Sequence, residues 1–231
     1  DKVLEIAKKL ELAIPTSEWA QVSLFKSYLD KNDAVKAIQA MNIVLASNKI
    51  DSKIKHRILN EFLIFVNANP QYTADLEKAI RYFDNDKEVN VAKEIGKFYH
   101  NKKQWEIAIK YYEQSLKNST TDDIETNLLL LQAYTEIGQF QLVSKKATEM
   151  IETFPTQPQF YYYLGLSNNQ LGQFKKAKEM LEMGLDYLVE DLTLEINFNI
   201  QLGEAYNGLG DFKKKDSFFA KADQLIQKQK K

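Results

Sequence analysis

Apolar residues recur at three- and four-residue spacings along most of the chain, as in Ile107, Ala108, Tyr111, Tyr112 and Leu116. That spacing lines one face of a helix, whereas a half-buried strand would alternate. The helical pattern itself recurs. The segments ETNLLLLQAYTEIGQF, PQFYYYLGLSNNQLGQF and NFNIQLGEAYNGLGDF align, and each closes on glycine, one residue, then an aromatic: Gly138/Phe140, Gly172/Phe174 and Gly210/Phe212. The glycines lie 34 and 38 residues apart. Extending the alignment places units near 18–51, 52–88, 89–123, 124–157, 158–195 and 196–231, each predicted to be a pair of helices.

The units agree at fixed offsets. The seventh position is Leu24, Ile58, Ile95, Leu130, Leu164 and Leu202, and the eleventh is aromatic in Tyr28, Phe62, Tyr99, Tyr134 and Tyr206, with Asn168 the exception. The eighth is glycine in Gly96, Gly165 and Gly203, where a missing side chain lets two helices approach; it is Phe25, Leu59 and Leu131 elsewhere. The twentieth is small in Ala37, Ala108, Val143 and Ala177. Unit 52–88 is degenerate: Asn69-Pro70 ends its first helix, and a short second helix carries Ala79 and Phe83. Residues 1–17 read as the second helix of a truncated unit, so more repeat is expected upstream. Lys215 at the small twentieth position, with the terminal LIQKQKK, reads as a solvated closing helix ending at or near residue 231.

These residues resemble the tetratricopeptide-repeat family, as found in bacterial proteins. Its repeat of about 34 residues places leucine, glycine and tyrosine in a first helix, alanine and an aromatic in a second, and often a closing proline. Pro155 and Pro15 stand at such closing positions. The resemblance implies an all-α α-solenoid, a right-handed superhelix of stacked antiparallel helix pairs, as a single domain over 1–231. A helix pair cannot bury all its apolar surface alone, so neighbouring units complete each other's core. Asp33, Asp122-Asp123 and Asp211 fall near expected helix starts, where a carboxylate favours the exposed N–H groups.

The resemblance also implies a binding face. In this family positions 2, 5, 6, 9, 12 and 13 of each first helix face a ligand. Here they give Lys93, Lys97, Leu128, Gln132, Gln159, Tyr162, Tyr163, Leu166, Asn169, Gln201, Glu204 and Asn207 as candidates. Side-chain amides both donate and accept, which suits the backbone of an extended peptide. Tyrosine adds contact area at low entropic cost. The run Tyr161-Tyr162-Tyr163 cannot be buried on every side of a helix, so one or two rings are expected to be exposed. The plainer reading is that the amides only solvate the surface. Some family members clamp a peptide carboxylate with lysine, asparagine and arginine; Leu129, Gln159 and Tyr163 stand where that clamp would need asparagine or basic residues, which disfavours it.

Charge and composition narrow the alternatives. Net charge is −1, so there is no basic footprint for nucleic acid. Against the lysine runs 213–215 and 228–231 stand the acidic residues that dominate elsewhere, and the tail lacks interleaved aromatics. No run of 18 apolar residues exists, so no membrane insertion is expected. Cysteine is absent, which removes thiolate chemistry. His56 and His100 stand in different units without acidic residues at ligand spacing, so no metal, cofactor or catalytic group is expected. The pair Glu190-Asp191 reads as junction and cap, and Trp105, Phe140, Phe174 and Phe212 read as core because they repeat at one place in the unit. The expected function is a protein- or peptide-binding scaffold without catalysis; the alternative is a self-associating scaffold of a cell-envelope assembly. The chain also resembles the C-terminal part of longer bacterial repeat proteins that carry an export signal, which implies the periplasm over the cytoplasm.

Overall fold

The computed structural model describes residues 2–14, 17–83, 90–118 and 123–229. Pro15, Asp122, Lys230 and Lys231, which entered the expectations above, lie outside the described residues, as does 84–89. Among the described residues the fold is all-α: thirteen α-helices, two short 3-10 turns and no strand. Two compact units divide within one helix, between Ile95 and Gly96.

The first unit holds α1 (Lys2–Ala13), α2 (Glu18–Asp30), α3 (Ala34–Ala46), α4 (Ser52–Ala68) and α5 (Thr73–Ile80). Helix α1 lies on α2 through Ala7, which is buried against Ala20 and Leu24. Leu24, Met41, Val44, Ile58, Phe62 and Leu76 are fully covered in this unit. The degenerate stretch departs from the pattern as Asn69-Pro70 foretells. Helix α4 stops at Ala68, a 3-10 turn spans Pro70–Tyr72, and α5 runs only to Ile80 before a second turn at Arg81–Phe83. Proline supplies no N–H to continue the helix, so the chain tightens and restarts. Ala79 and Phe83 are buried.

Helix α6 (Val91–Asn101) spans the division. The second unit continues with α7 (Trp105–Asn118), α8 (Ile124–Glu136), α9 (Phe140–Thr153), α10 (Pro158–Gln170), α11 (Phe174–Asp186), α12 (Leu192–Gly208) and α13 (Phe212–Gln229). Within it each helix packs on the next, and α10 also touches both α8 and α12. Second helices therefore cover the first helix of the following pair, and the first helices form a continuous wall.

The glycines at the eighth position account for the close approach. A Cβ on Gly165 would lie 2.3 Å from Leu181 Cγ, and one on Gly203 2.6 Å from Phe219 Cε1. On Gly96 it would lie 2.5 Å from Tyr112 Cε1. The helix starts are capped as the carboxylates predict: Asp33 accepts from Lys36 N–H, Asp123 from Thr126 N–H and Asp211 from Lys214 N–H. Asp191 does the same for Leu194 N–H.

Five hairpins share one turn. After the first helix a residue adopts a left-handed conformation, and the next N–H bonds back to the carbonyl of the eleventh position, as in Gln139 to Tyr134 (2.9 Å) and Gln173 to Asn168 (2.8 Å). Glycine fills the left-handed position at Gly138, Gly172 and Gly210, but Asn32 and Lys103 take it with φ of 57°. Lysine is strained there by about 1 kcal/mol, partly offset by glycine's greater freedom in the unfolded chain. Lys103→Gly is therefore expected to stabilise the second unit by about 0.5 kcal/mol, read as a higher urea midpoint. A lowered midpoint would count against this account of the turn.

Two expectations need correction. Phe212 is not core: it is 60% exposed, while Trp105, Phe140 and Phe174 are half-buried. Phe174 lies close against Gly208 of the following first helix, and Phe212 has no following helix to cover it among the described residues. In the tyrosine run, Tyr161 is buried and both Tyr162 and Tyr163 are half-buried, so none is fully exposed.

Candidate functional site

The wall of first helices in the second unit is built from α8, α10 and α12, each set in place by the helix behind it. Leu130, Leu164 and Leu202 point into the core, as does Tyr206 with its hydroxyl donating to Glu182. The equivalent Tyr134 hydroxyl bonds Glu113. Burial, followed by the Glu113 bond and charge, pushes the Tyr134 hydroxyl well above the ordinary tyrosine range. These two bonds tie an eleventh-position tyrosine to the second helix of the preceding pair and fix how consecutive pairs meet. The sequence carried their signal, a glutamate at the twenty-fifth position followed by that tyrosine, but tyrosine there reads first as core.

With the core positions turned inward, the opposite stripe of each first helix is left for solvent. On α8 it presents Leu128 and Leu129, half-buried, and Gln132 and Glu136, exposed. On α10 it presents Gln159, Tyr162, Tyr163 and Leu166, all half-buried, with Gln170 exposed. On α12 Gln201 is half-buried while Glu204 and Asn207 are exposed.

Side chains knit this face across helices. Lys97 of α6 meets Glu125 of α8 at 2.7 Å. His100 leaves its Nδ1 without a hydrogen bond, and burial lowers its proton affinity while Gln132 and Glu136 oppose the shift. The Tyr162 ring stands edge-on to Tyr163 at 5.3 Å and to Phe198 of α12 at 5.8 Å. Burial raises the proton affinity of both hydroxyls; at Tyr163 the neighbouring Tyr162 and Glu136 add to it. Both rings therefore stay neutral donors at any physiological pH.

Asn169 is the candidate most withdrawn from the face. It is 7% exposed, and its Nδ2 donates to Gln201 O (2.8 Å) and Gln201 Oε1 (3.0 Å). It bridges α10 to α12 and leaves its Oδ1 without a hydrogen bond. Lys93 is half-buried on the part of α6 assigned to the first unit. The structure thus brings Lys97, Leu128, Gln132, Gln159, Tyr162, Tyr163, Leu166, Gln201, Glu204 and Asn207 to the first helices of the second unit. It adds Glu136, which the same thirteenth-position register picks out.

The histidines are held by aromatic packing. His56 stacks on Phe83 at 4.9 Å in the first unit, and His100 meets Trp105 edge-on at 4.9 Å in the second. Among the described residues no group of three or more His, Asp or Glu could hold a metal ion. No described helix is long and apolar enough to cross a membrane.

A family model described as DltD protein matches residues 4–188, a span that ends before α12. No curated protein matches the chain. Several solved structures share the fold. The C-terminal part of a TPR repeat-containing protein from Cytophaga hutchinsonii is 18% identical with a TM-score of 0.55, over 96% of this chain and 88% of that one. A MamA structure is 23% identical with a TM-score of 0.53, over 70% and 94%. MamA from residue 41 onward of Desulfovibrio magneticus RS-1 is 18% identical with a TM-score of 0.54, over 75% and 98%. At such identities the likeness is one of fold: a TPR-like stack of helix pairs.

Proposed function

The chain belongs to the DltD protein family, and we propose that it works as a tetratricopeptide-type binding module, capturing a protein or extended peptide on the α8–α10–α12 face without catalysis of its own. One observation carries this reading. Three successive first helices leave the same stripe uncovered, and beside the exposed Glu136 and Glu204 that stripe holds tyrosines, leucines and side-chain amides but no lysine or arginine, where a merely solvated surface would hold mainly charged groups. The tyrosines are already braced by Phe198 and by each other, so little side-chain entropy remains to be lost on binding.

The test is capture of partner from native cell extract by the full chain and by Tyr162→Ala and Tyr163→Ala, with affinity for the recovered partner then titrated. Each substitution is expected to weaken binding by roughly 1–3 kcal/mol while far-ultraviolet circular dichroism keeps its helical amplitude. Capture unchanged by both substitutions removes the face from consideration. Self-association is the second reading, favoured by Leu209 and Phe212, which stand 45% and 60% exposed on either side of the α12–α13 turn. Sedimentation at micromolar concentration separates the two, since a stable oligomer lost on Phe212→Ser supports the second.

A further inference from the structure

Charge is sorted between the two kinds of helix in the second unit. Helices α8, α10 and α12 contain no lysine or arginine, and their ionised side chains are Glu125, Glu136, Glu195 and Glu204. The lysines of this region stand on the second helices instead: Lys145 and Lys146 on α9, Lys175, Lys176 and Lys178 on α11, and the lysines of α13. Helices α8, α10 and α12 therefore carry only acidic charge, with Lys97 of α6 bordering them.

Two of the four carboxylates are spoken for. Glu125 is paired with Lys97, and Glu195 with Lys221 at 3.1 Å. Glu136 and Glu204 are exposed and have no ion-pair partner among the described residues. Glu136 closes α8, and Tyr163 lies on α10, the next first helix, which α8 touches. A carboxylate on one helix and a half-buried tyrosine ring on the next can offer a cation both a counter-charge and a π face.

We propose that the α8–α10–α12 face selects a lysine- or arginine-bearing extended segment of a partner protein, seating one cationic side chain between the Tyr163 ring and the Glu136 carboxylate and a second near Glu204. The inference rests on the reading of this face as the binding surface and specifies the chemistry of its occupant. The segment's aliphatic stems lie along Leu128, Leu166 and Tyr162, and its backbone is read by Gln132 and Gln201. The acidic wall also attracts such a segment at a distance, which makes capture dependent on ionic strength.

The experiment selects a random dodecapeptide display library on the full chain, in parallel with a Glu136→Gln/Glu204→Gln double variant. Glutamine keeps the shape of these exposed side chains, so the fold is untouched. Recovered peptides are expected to be enriched in lysine and arginine. Their affinity should fall about fivefold for each single glutamine substitution, and further between 50 and 300 mM salt. Lys176→Gln on a second helix should leave affinity unchanged. Neutral or acidic peptides that bind and lose affinity on Tyr163→Ala overturn the cationic occupant while the binding face stands. Cationic peptides indifferent to both glutamate substitutions also overturn it. Failure to recover any peptide that needs Tyr163 overturns the face and this inference together.

Discussion

Replacing Phe198 with alanine is expected to cost the second unit about 3–5 kcal/mol, a large part of the total stability of a domain. Phe198 is fully buried at the centre of a cluster with Tyr161, Leu181, Leu194, Leu202 and Tyr206. Its ring fills space on three sides at once: it braces Tyr162 on the candidate binding face, touches Gly184 of α11, and packs within α12's own core stripe. Removing it leaves a cavity that neighbouring rings cannot close without moving helix axes. Urea denaturation followed by circular dichroism measures the loss, with the two units' transitions fitted separately if they do not coincide. A loss below about 1 kcal/mol would contradict the packing described. Because Tyr162 leans on Phe198, the variant is also expected to bind partner more weakly than its remaining folded fraction accounts for.

The second large effect lies at Gly184, where leucine is expected to cost about 3 kcal/mol, the upper part of the range for overpacked cores. A Cβ there would stand 2.6 Å from the Tyr161 Cβ and 2.7 Å from the Phe198 Cζ. The first of these is the decisive contact. A Cβ cannot rotate away, so α11 must move off α10, and in moving it meets α12. Gly172→Ala is the comparison that separates two uses of glycine. Gly172 has φ of 70° and nothing within 4 Å of an added Cβ, so its cost of about 1 kcal/mol is conformational. The same melts read both variants. Equal losses at the two positions would mean that the approach of α11 to its neighbours is not what Gly184 serves.

Gly184 also marks what the sequence leaves illegible. The eighth-position glycines repeat from unit to unit and are found by alignment, whereas Gly184 occurs once. Its role depends on two helices, one before it and one after, converging on a single point. The candidate face divides in the same manner. Tyr162 and Tyr163 are marked by register alone. Asn169 stands in register too, yet it is drawn inward because Gln201 on the next first helix is within hydrogen-bonding distance. Glu136 is legible in principle from its position, but that α8 touches the helix carrying Tyr163 is a property of the stack.

What the chain determines locally is the helical period, the hairpin turns, the caps at Asp33, Asp123, Asp191 and Asp211, and the break at Asn69-Pro70. Each follows from the backbone preferences and hydrogen bonds of residues within one or two turns of each other. Only the packed structure decides which half-apolar stripe stays uncovered, that Phe212 lies open while Phe174 is sheltered, and that the acidic first helices line one wall. Those outcomes depend on where the next helix lies, and contacts between residues far apart in the chain leave no periodic trace in it.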